Sequence, residues 1–195
     1  MSSKANILEK IKQNQPLSIS ALPDLSFLGL ENYENLDKYK SVLQSIGGDF
    51  VEVADYDAII EFIKKNYNTE KRIITTLPEL SQIAATDWKN DNPHSLKDVE
   101  LTIVKAHFGV AETGALWVTD DLLGQRVAAF IPQYLAVVVH KNELVTTMHQ
   151  AYDRIGNQEY NFGTFIAGPS KTADIEQSLV LGAHGARGLM VFIMA

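Results

Sequence analysis

Apolar residues recur along this chain in two alternating rhythms, a helical spacing of three or four and short continuous runs. Leu36, Tyr39, Leu43 and Ile46 fall at helical intervals and the segment stops at Gly47-Gly48, so Tyr33 to Ile46 reads as a helix with one apolar face. Residues 3 to 13 place Ile7, Leu8 and Ile11 on one side of a shorter helix that depends on docking for its stability. Phe50 to Val53 reads as a strand, Asp55 as the cap of a helix bearing Ile59, Phe62 and Ile63, and Arg72 to Leu77 as the next strand. Val99 to Lys105, Ala115 to Thr119 and Tyr134 to Val139 follow as strands, then Glu143 to Ile155 as a helix with Leu144, Met148, Ala151 and Ile155 at helical intervals. Phe162 to Ala167, stopped by Gly168-Pro169, and Leu189 to Met194 complete seven strands. Between these last two the pattern predicts a helix over 172 to 181, capped by Ser170 or Thr172, with Asp174 and Glu176 in its first turn, Ile175 and Leu179 toward the sheet and Gly182 as its stop. The alternation predicts an α/β fold, a mostly parallel sheet of about seven strands flanked by helices.

Two stretches interrupt the rhythm. Gln15 to Leu30 is irregular but too apolar for a free linker, so it packs on its own domain or reaches a second subunit. Residues 1 to 30 are therefore read as a helix and apolar arm, and 31 to 195 as a single α/β domain. Ala84 to Asp98 is polar and turn-rich and reads as a surface loop in which Trp88 and His94 are incidental.

Composition narrows the function classes. A net charge of -7 with Lys and Arg scattered argues against a nucleic-acid or anionic-membrane partner. The longest apolar stretch, Val127 to Val139, is broken by Pro132 and Gln133 and is too short to span a bilayer. The opening MSSKANILEK lacks a secretory apolar segment, which places the protein in the cytoplasm as an expectation. There is no cysteine, which excludes disulfides, thiol nucleophiles and thiolate ligation of an iron-sulfur cluster by this chain.

The candidate chemistry lies in three glycine-bearing motifs. Ligands in open α/β sheets bind beyond the carboxyl ends of the strands. If strands 99 to 105 and 162 to 167 run parallel, His107, the Glu112-Thr113-Gly114 turn and Ser170-Lys171-Thr172 line one cleft there. Backbone amides at the start of the helix after Ser170 suit a carboxylate or phosphate, helped by Lys171 and Arg126, while Asp174 in the same turn opposes it. Glu112 is the candidate catalytic acid or base; Glu112-Thr113-Gly114 reads equally as a hairpin turn that needs glycine at positive φ. A helix of ten residues is about 15 Å long, so His184 in Gly182-Ala-His184-Gly185 sits far from Ser170 if the last strand is parallel, and belongs then to another surface such as a subunit contact. His140, Glu143 and His149 match no metal-ligand spacing, and Gly182, Gly185 and Gly188 follow a helix where a dinucleotide fingerprint precedes one.

Taken together, Gly168-Pro-Ser-Lys-Thr-Ala-Asp-Ile-Glu176, Gly182-Ala-His-Gly185 and Ala111-Glu-Thr-Gly114 resemble the signature of the lactate-utilization protein C family, the LUD domain. The likeness is strongest over Asp98 to Ala195; Arg126 and Pro132 match the pattern too. The resemblance implies a fold like the NagB, ribose-5-phosphate isomerase and CoA-transferase group. It also implies an accessory or substrate-binding subunit of an iron-sulfur-containing complex that oxidises L-lactate to pyruvate, with the cluster in a cysteine-rich partner. The fold's relatives leave a second reading open, a stand-alone enzyme acting on a small phosphorylated or carboxylated metabolite. Both readings are compatible with a homo-oligomer.

Overall fold

A computed structural model describes residues 3–16, 35–173 and 179–195 of the chain. The chain divides into two units, Met1–Glu31 and Asn32–Ala195. In the first, α1 (Ser3–Gln13) forms where the spacing predicts it, with Ile7, Leu8 and Ile11 more than half exposed. The apolar arm from residue 17 onward lies outside the described residues.

The second unit is built on five strands, β1 (Asp49–Val53), β2 (Ile73–Thr75), β3 (Leu101–Lys105), β6 (Tyr134–His140) and β11 (Gly188–Met194), in the order β1-β11-β6-β3-β2. Every neighbouring pair is parallel; Gly188 stands opposite Tyr134 and Met190 opposite Asp49. A parallel sheet is covered on both faces, which is why these strands read as continuous apolar runs. On one face Val104, Val137, Val191 and Ile193 pack with Tyr39 and Leu43 of α2 (Asn35–Ser45). On the other, Ile103, Val138 and Phe192 pack with Ile59, Ile60 and Ile63 of α3 (Tyr56–Asn66). The Asp55 carboxylate caps α3, accepting from the Ala58 N–H at 2.9 Å.

Two of the seven expected strands belong elsewhere. β4 (Phe108–Val110), β5 (Ala115–Thr119), β7 (Leu144–Val145) and β8 (Gly163–Ile166) form a second sheet in the order β7-β4-β5-β8, parallel between β4 and β7 and otherwise antiparallel. The strands at 99 to 105 and 162 to 167 are thus not partners in one sheet. Hydrophobic period reports burial but not which sheet a buried strand joins. After the short α4 (Asp120–Leu123), the helix expected from Glu143 begins only at Met148: Lys141–Glu143 is a 3-10 turn, β7 follows, and Thr147 and Gln150 form a capping box that starts α5 (Met148–Ile155).

The helix predicted over 172 to 181 is absent at both ends. Lys171–Ala173 is β9 and Leu179–Leu181 is β10, an antiparallel pair with Thr172 opposite Val180 and Lys171 opposite Leu181. The Ser170 backbone N–H donates to the Ala186 carbonyl at 2.8 Å and its carbonyl accepts from Gly182 N–H at 3.0 Å. Ser170 is therefore tied to the segment that leads into β11 and caps no helix. Asp174, Ile175 and Glu176 lie outside the described residues.

The polar stretch 84 to 98 is the turn-rich surface segment its composition suggests, but one of its residues is anchored inward. Trp88 is 1% exposed and its indole N–H donates to the Thr75 carbonyl at 3.0 Å, so this residue is core rather than incidental. His94 stays on an exposed 3-10 turn.

Candidate functional site

The Gly168-Pro-Ser170 and Gly182-Ala-His184-Gly185 motifs meet at the amino end of the central sheet, opposite to the end expected, while Ala111-Glu-Thr-Gly114 packs against α2 through Gly114. The point where two of them converge is the last turn of α2, which ends just before β1. There Gly48 N–H donates to the Leu43 carbonyl and Gly47 N–H to the Gln44 carbonyl, both at 2.9 Å, with Gly47 at φ +84°. This is a Schellman ending, and glycine supplies its left-handed residue without penalty. A Cβ on Gly114 would sit 3.1 Å from the Leu43 amide nitrogen, and one on Gly168 would sit 2.8 Å from the Ile46 carbonyl oxygen. These two motif glycines are close-approach residues against a helix end.

The polar residues of the motifs are correspondingly engaged. The Lys171 ammonium donates to the Ile46 carbonyl, a cation at a helix C-terminus where the dipole favours it. Gly114 N–H closes the β4-β5 turn on the Val110 carbonyl at 2.9 Å, so Glu112-Thr113-Gly114 is a hairpin turn. The Glu112 carboxylate accepts from Met148 N–H at 2.8 Å, at the first residue of α5, and the Thr113 hydroxyl lies 3.7 Å from the Met148 sulfur. Glu112 thus supplements the α5 capping box. Glu112→Ala is expected to lower stability by about 1 kcal/mol and Glu112→Gln, which keeps an acceptor, by only a few tenths, read as urea midpoints. A fully stable Glu112→Ala protein would remove this structural role.

His184 and Ser170 share a site. The last strand is parallel, yet a hairpin rather than a helix joins the two motifs, so the chain returns to where it left. A cleft of about 210 Å³ is lined by Ser170, His184 and Gly185 together with Phe130, Leu135 and Phe165. A neighbouring cleft of about 540 Å³ shares Phe130, His184 and Gly185 and adds Gln133, Leu181 and Arg187. Gln133 and Arg187 immediately precede β6 and β11, which sets both clefts at the amino ends of those strands.

His107 remains alone at the carboxyl end of β3. Its Nε2 lies 2.6 Å from the Thr119 hydroxyl, and that hydroxyl donates to the Asp121 carboxylate. With the hydroxyl proton used on Asp121, Thr119 accepts from Nε2–H, leaving Nδ1 as the free nitrogen. The Thr119 hydrogen bond, with the charge of His107 added when its ring is protonated, holds the Asp121 carboxyl below its usual range. Arg126 lies 3.8 Å from the Asp120 carboxylate with its guanidinium over the Phe162 ring, 5.2 Å from the centroid. Thr172 donates to the Val180 carbonyl across the hairpin. Sequence reasoning missed Thr119, Asp121, Phe130 and Arg187; only the Thr-Asp-Asp run after a strand, a helix-start signature, marked any of them.

Among the described residues no group of three or more His, Asp or Glu side chains is placed to hold a metal ion. The donor set does not fit a thiolate-ligated cluster either, since the chain has no cysteine. No helix among the described residues is long and apolar enough to cross a membrane.

A parallel sheet flanked by helices, a small mixed sheet beside it and glycine-anchored motifs around a cleft define a mixed α/β protein with a small-molecule-sized cavity at its sheet's amino end. The model of the LUD domain matches residues 7–194, and the chain belongs to that family. Similar proteins include lactate utilization protein C of Exiguobacterium sp., 27% identical over 177 residues that span 80% of this chain and 76% of that protein. Lactate utilization protein C of Shouchella clausii is 33% identical over 116 residues, 54% of this chain and 50% of that protein. An uncharacterized protein of Neisseria meningitidis serogroup B is 32% identical over 107 residues, 53% of this chain and 45% of that one. The alignments with the last two span about half of those proteins' length. A crystal structure of a DUF162 family protein from Deinococcus radiodurans has the same fold, with a TM-score of 0.63 at 15% identity over 83% of this chain and 97% of that one.

Proposed function

We propose that this chain serves lactate utilization as a cytoplasmic, accessory or substrate-binding subunit of an iron-sulfur-containing complex that oxidises L-lactate to pyruvate. The observation that carries the reading is the family match over residues 7–194, joined to the name that several relatives carry, lactate utilization protein C. A chain without cysteine cannot supply thiolates, so the cluster belongs to a cysteine-rich partner. Affinity capture of the tagged protein from its host grown on lactate tests this. The expected result is co-recovery of a cysteine-rich, iron-containing protein together with lactate-dependent reduction of an artificial acceptor. Capture of the chain alone from lysate in which such a protein is demonstrably expressed would overturn the complex.

The stand-alone enzyme reading retains one point of support, the His107-Thr119-Asp121 chain with a free imidazole nitrogen at a strand's carboxyl end. The cleft at the carboxyl ends of β1 and β11, lined by Glu52, Val53, Lys141 and Met194 among others, contains none of the predicted site residues.

A further inference from the structure

The two clefts that meet at His184 differ in chemistry. The smaller is apolar, walled by Ala129, Leu135, Phe165, Ile166, Pro169 and Leu189, with Ser170 and His184 at its edge. The larger carries Gln133, His184 and Arg187. No Asp or Glu lines either one among the described residues, although acidic residues outnumber basic ones in the chain, 24 to 17. Arg187 makes no ion pair with a described carboxylate. Its guanidinium is held instead over the Tyr134 ring, 4.7 Å from the centroid, and its backbone N–H donates to the Gln133 carbonyl at 2.9 Å. Among the described residues the cation is thus positioned but not neutralised, because a π face leaves the in-plane N–H donors of a guanidinium available.

We infer that this double cleft binds an amphipathic organic anion, its carboxylate or phosphate head against Arg187 and His184 and its apolar tail in the lobe between Leu135, Phe165 and Leu189. The joint geometry sets the class. A head group alone leaves the apolar lobe unfilled, and a neutral apolar molecule gives the guanidinium no counter-charge beyond what the described residues offer. Each methylene that enters the lobe contributes about fourfold in affinity, whereas a charge-assisted head contact to Arg187 contributes about tenfold or more. The rigid backbone of the site favours binding without rearrangement: Ser170 is tied to Ala186 and Gly182, and a Cβ on Gly185 would sit 3.2 Å from that of Ser170. The assignment does not depend on the lactate-utilization reading.

The test is an NMR titration of the full-length protein with hexanoate, acetate, 1-hexanol and L-lactate, following the backbone amides of Gly182, Gly185 and Ala186. Hexanoate is expected to shift these amides saturably, with acetate and 1-hexanol each about tenfold weaker or more. Arg187→Gln, at an exposed position, should weaken hexanoate about tenfold and abolish its advantage over 1-hexanol. Ala167→Trp, at an exposed position that lines the apolar lobe, should weaken hexanoate and leave acetate unchanged. Absence of saturable shifts with hexanoate, shifts indifferent to both substitutions, or L-lactate binding here more tightly than hexanoate would each overturn the assignment. The last of these outcomes would still leave the proposed role in lactate utilization standing.

Discussion

Trp88→Ala is expected to destabilise the domain by about 3–5 kcal/mol, a large share of the 5–15 kcal/mol typical of a folded domain. The indole is the largest side chain among those fully buried, packed with Ile74, Leu96, Val99 and Ala128 at the β2 edge of the central sheet. Its ring approaches Gly124, where φ is +71° and a Cβ would lie 3.3 Å from the ring. Gln125 binds the same segment from outside, its side-chain amide donating to the carbonyls of Trp88, Lys89 and Asp91 at 3.0–3.2 Å. Removing the ring leaves a cavity and frees the Thr75 carbonyl, whereas Trp88→Phe keeps most of the volume and loses the hydrogen bond, at a cost of about 1–2 kcal/mol. Urea denaturation measures both, and hydrogen exchange should show residues 88 to 98 losing protection first in Trp88→Ala. Near-equal stability of wild type and Trp88→Ala would refute the anchoring role.

Gly168→Ala is expected to cost about 2–5 kcal/mol, from two sources that add. An alanine at φ +72° carries the left-handed penalty of about 1–2 kcal/mol. Its Cβ would also lie 2.8 Å from the Ile46 carbonyl oxygen, a backbone atom that cannot swing aside, and overpacking of that kind costs about 1–3 kcal/mol. Gly47→Asn separates the two. Gly47 has φ +84°, but its nearest neighbour is the flexible Lys171 ammonium at 3.3 Å, and asparagine tolerates the left-handed region, so its loss should stay below about 1 kcal/mol. Equal losses at the two positions would show that backbone conformation alone, not the approach to α2, requires glycine at 168. A displaced α2 terminus would in turn shift Lys171 and Ser170, so Gly168→Ala should also perturb the Gly185 and Ala186 resonances.

Much of the fold was legible because burial leaves a local trace. Every strand of the central sheet coincides with an apolar run, the cap of α3 falls on Asp55 and the end of α2 on Gly47-Gly48. Relations that depend on distant partners left none. β4 is only three residues long, Phe108–Val110, and β7 two, each defined by pairing rather than by pattern. The helix misread over 172 to 181 shows the same limit. Its cap, acidic first turn and terminal glycine satisfy local helix rules, but Ser170 spends both backbone groups on Ala186 and Gly182, and that long-range pairing favours the hairpin. His184 was consequently separated from Ser170, an error of topology rather than of residue choice.

Sequence by itself determined the class of fold, the family, the absence of thiolate chemistry and the three motifs, because each of these is written in residue type and local spacing. Tertiary structure alone decided where the motifs meet, that Glu112 and Lys171 bind helix ends, that Trp88 is core, and that Arg187 joins His184 at the amino end of the sheet. Those facts rest on contacts between segments tens of residues apart, and the geometry of such contacts is set only when the chain has closed its loops and packed.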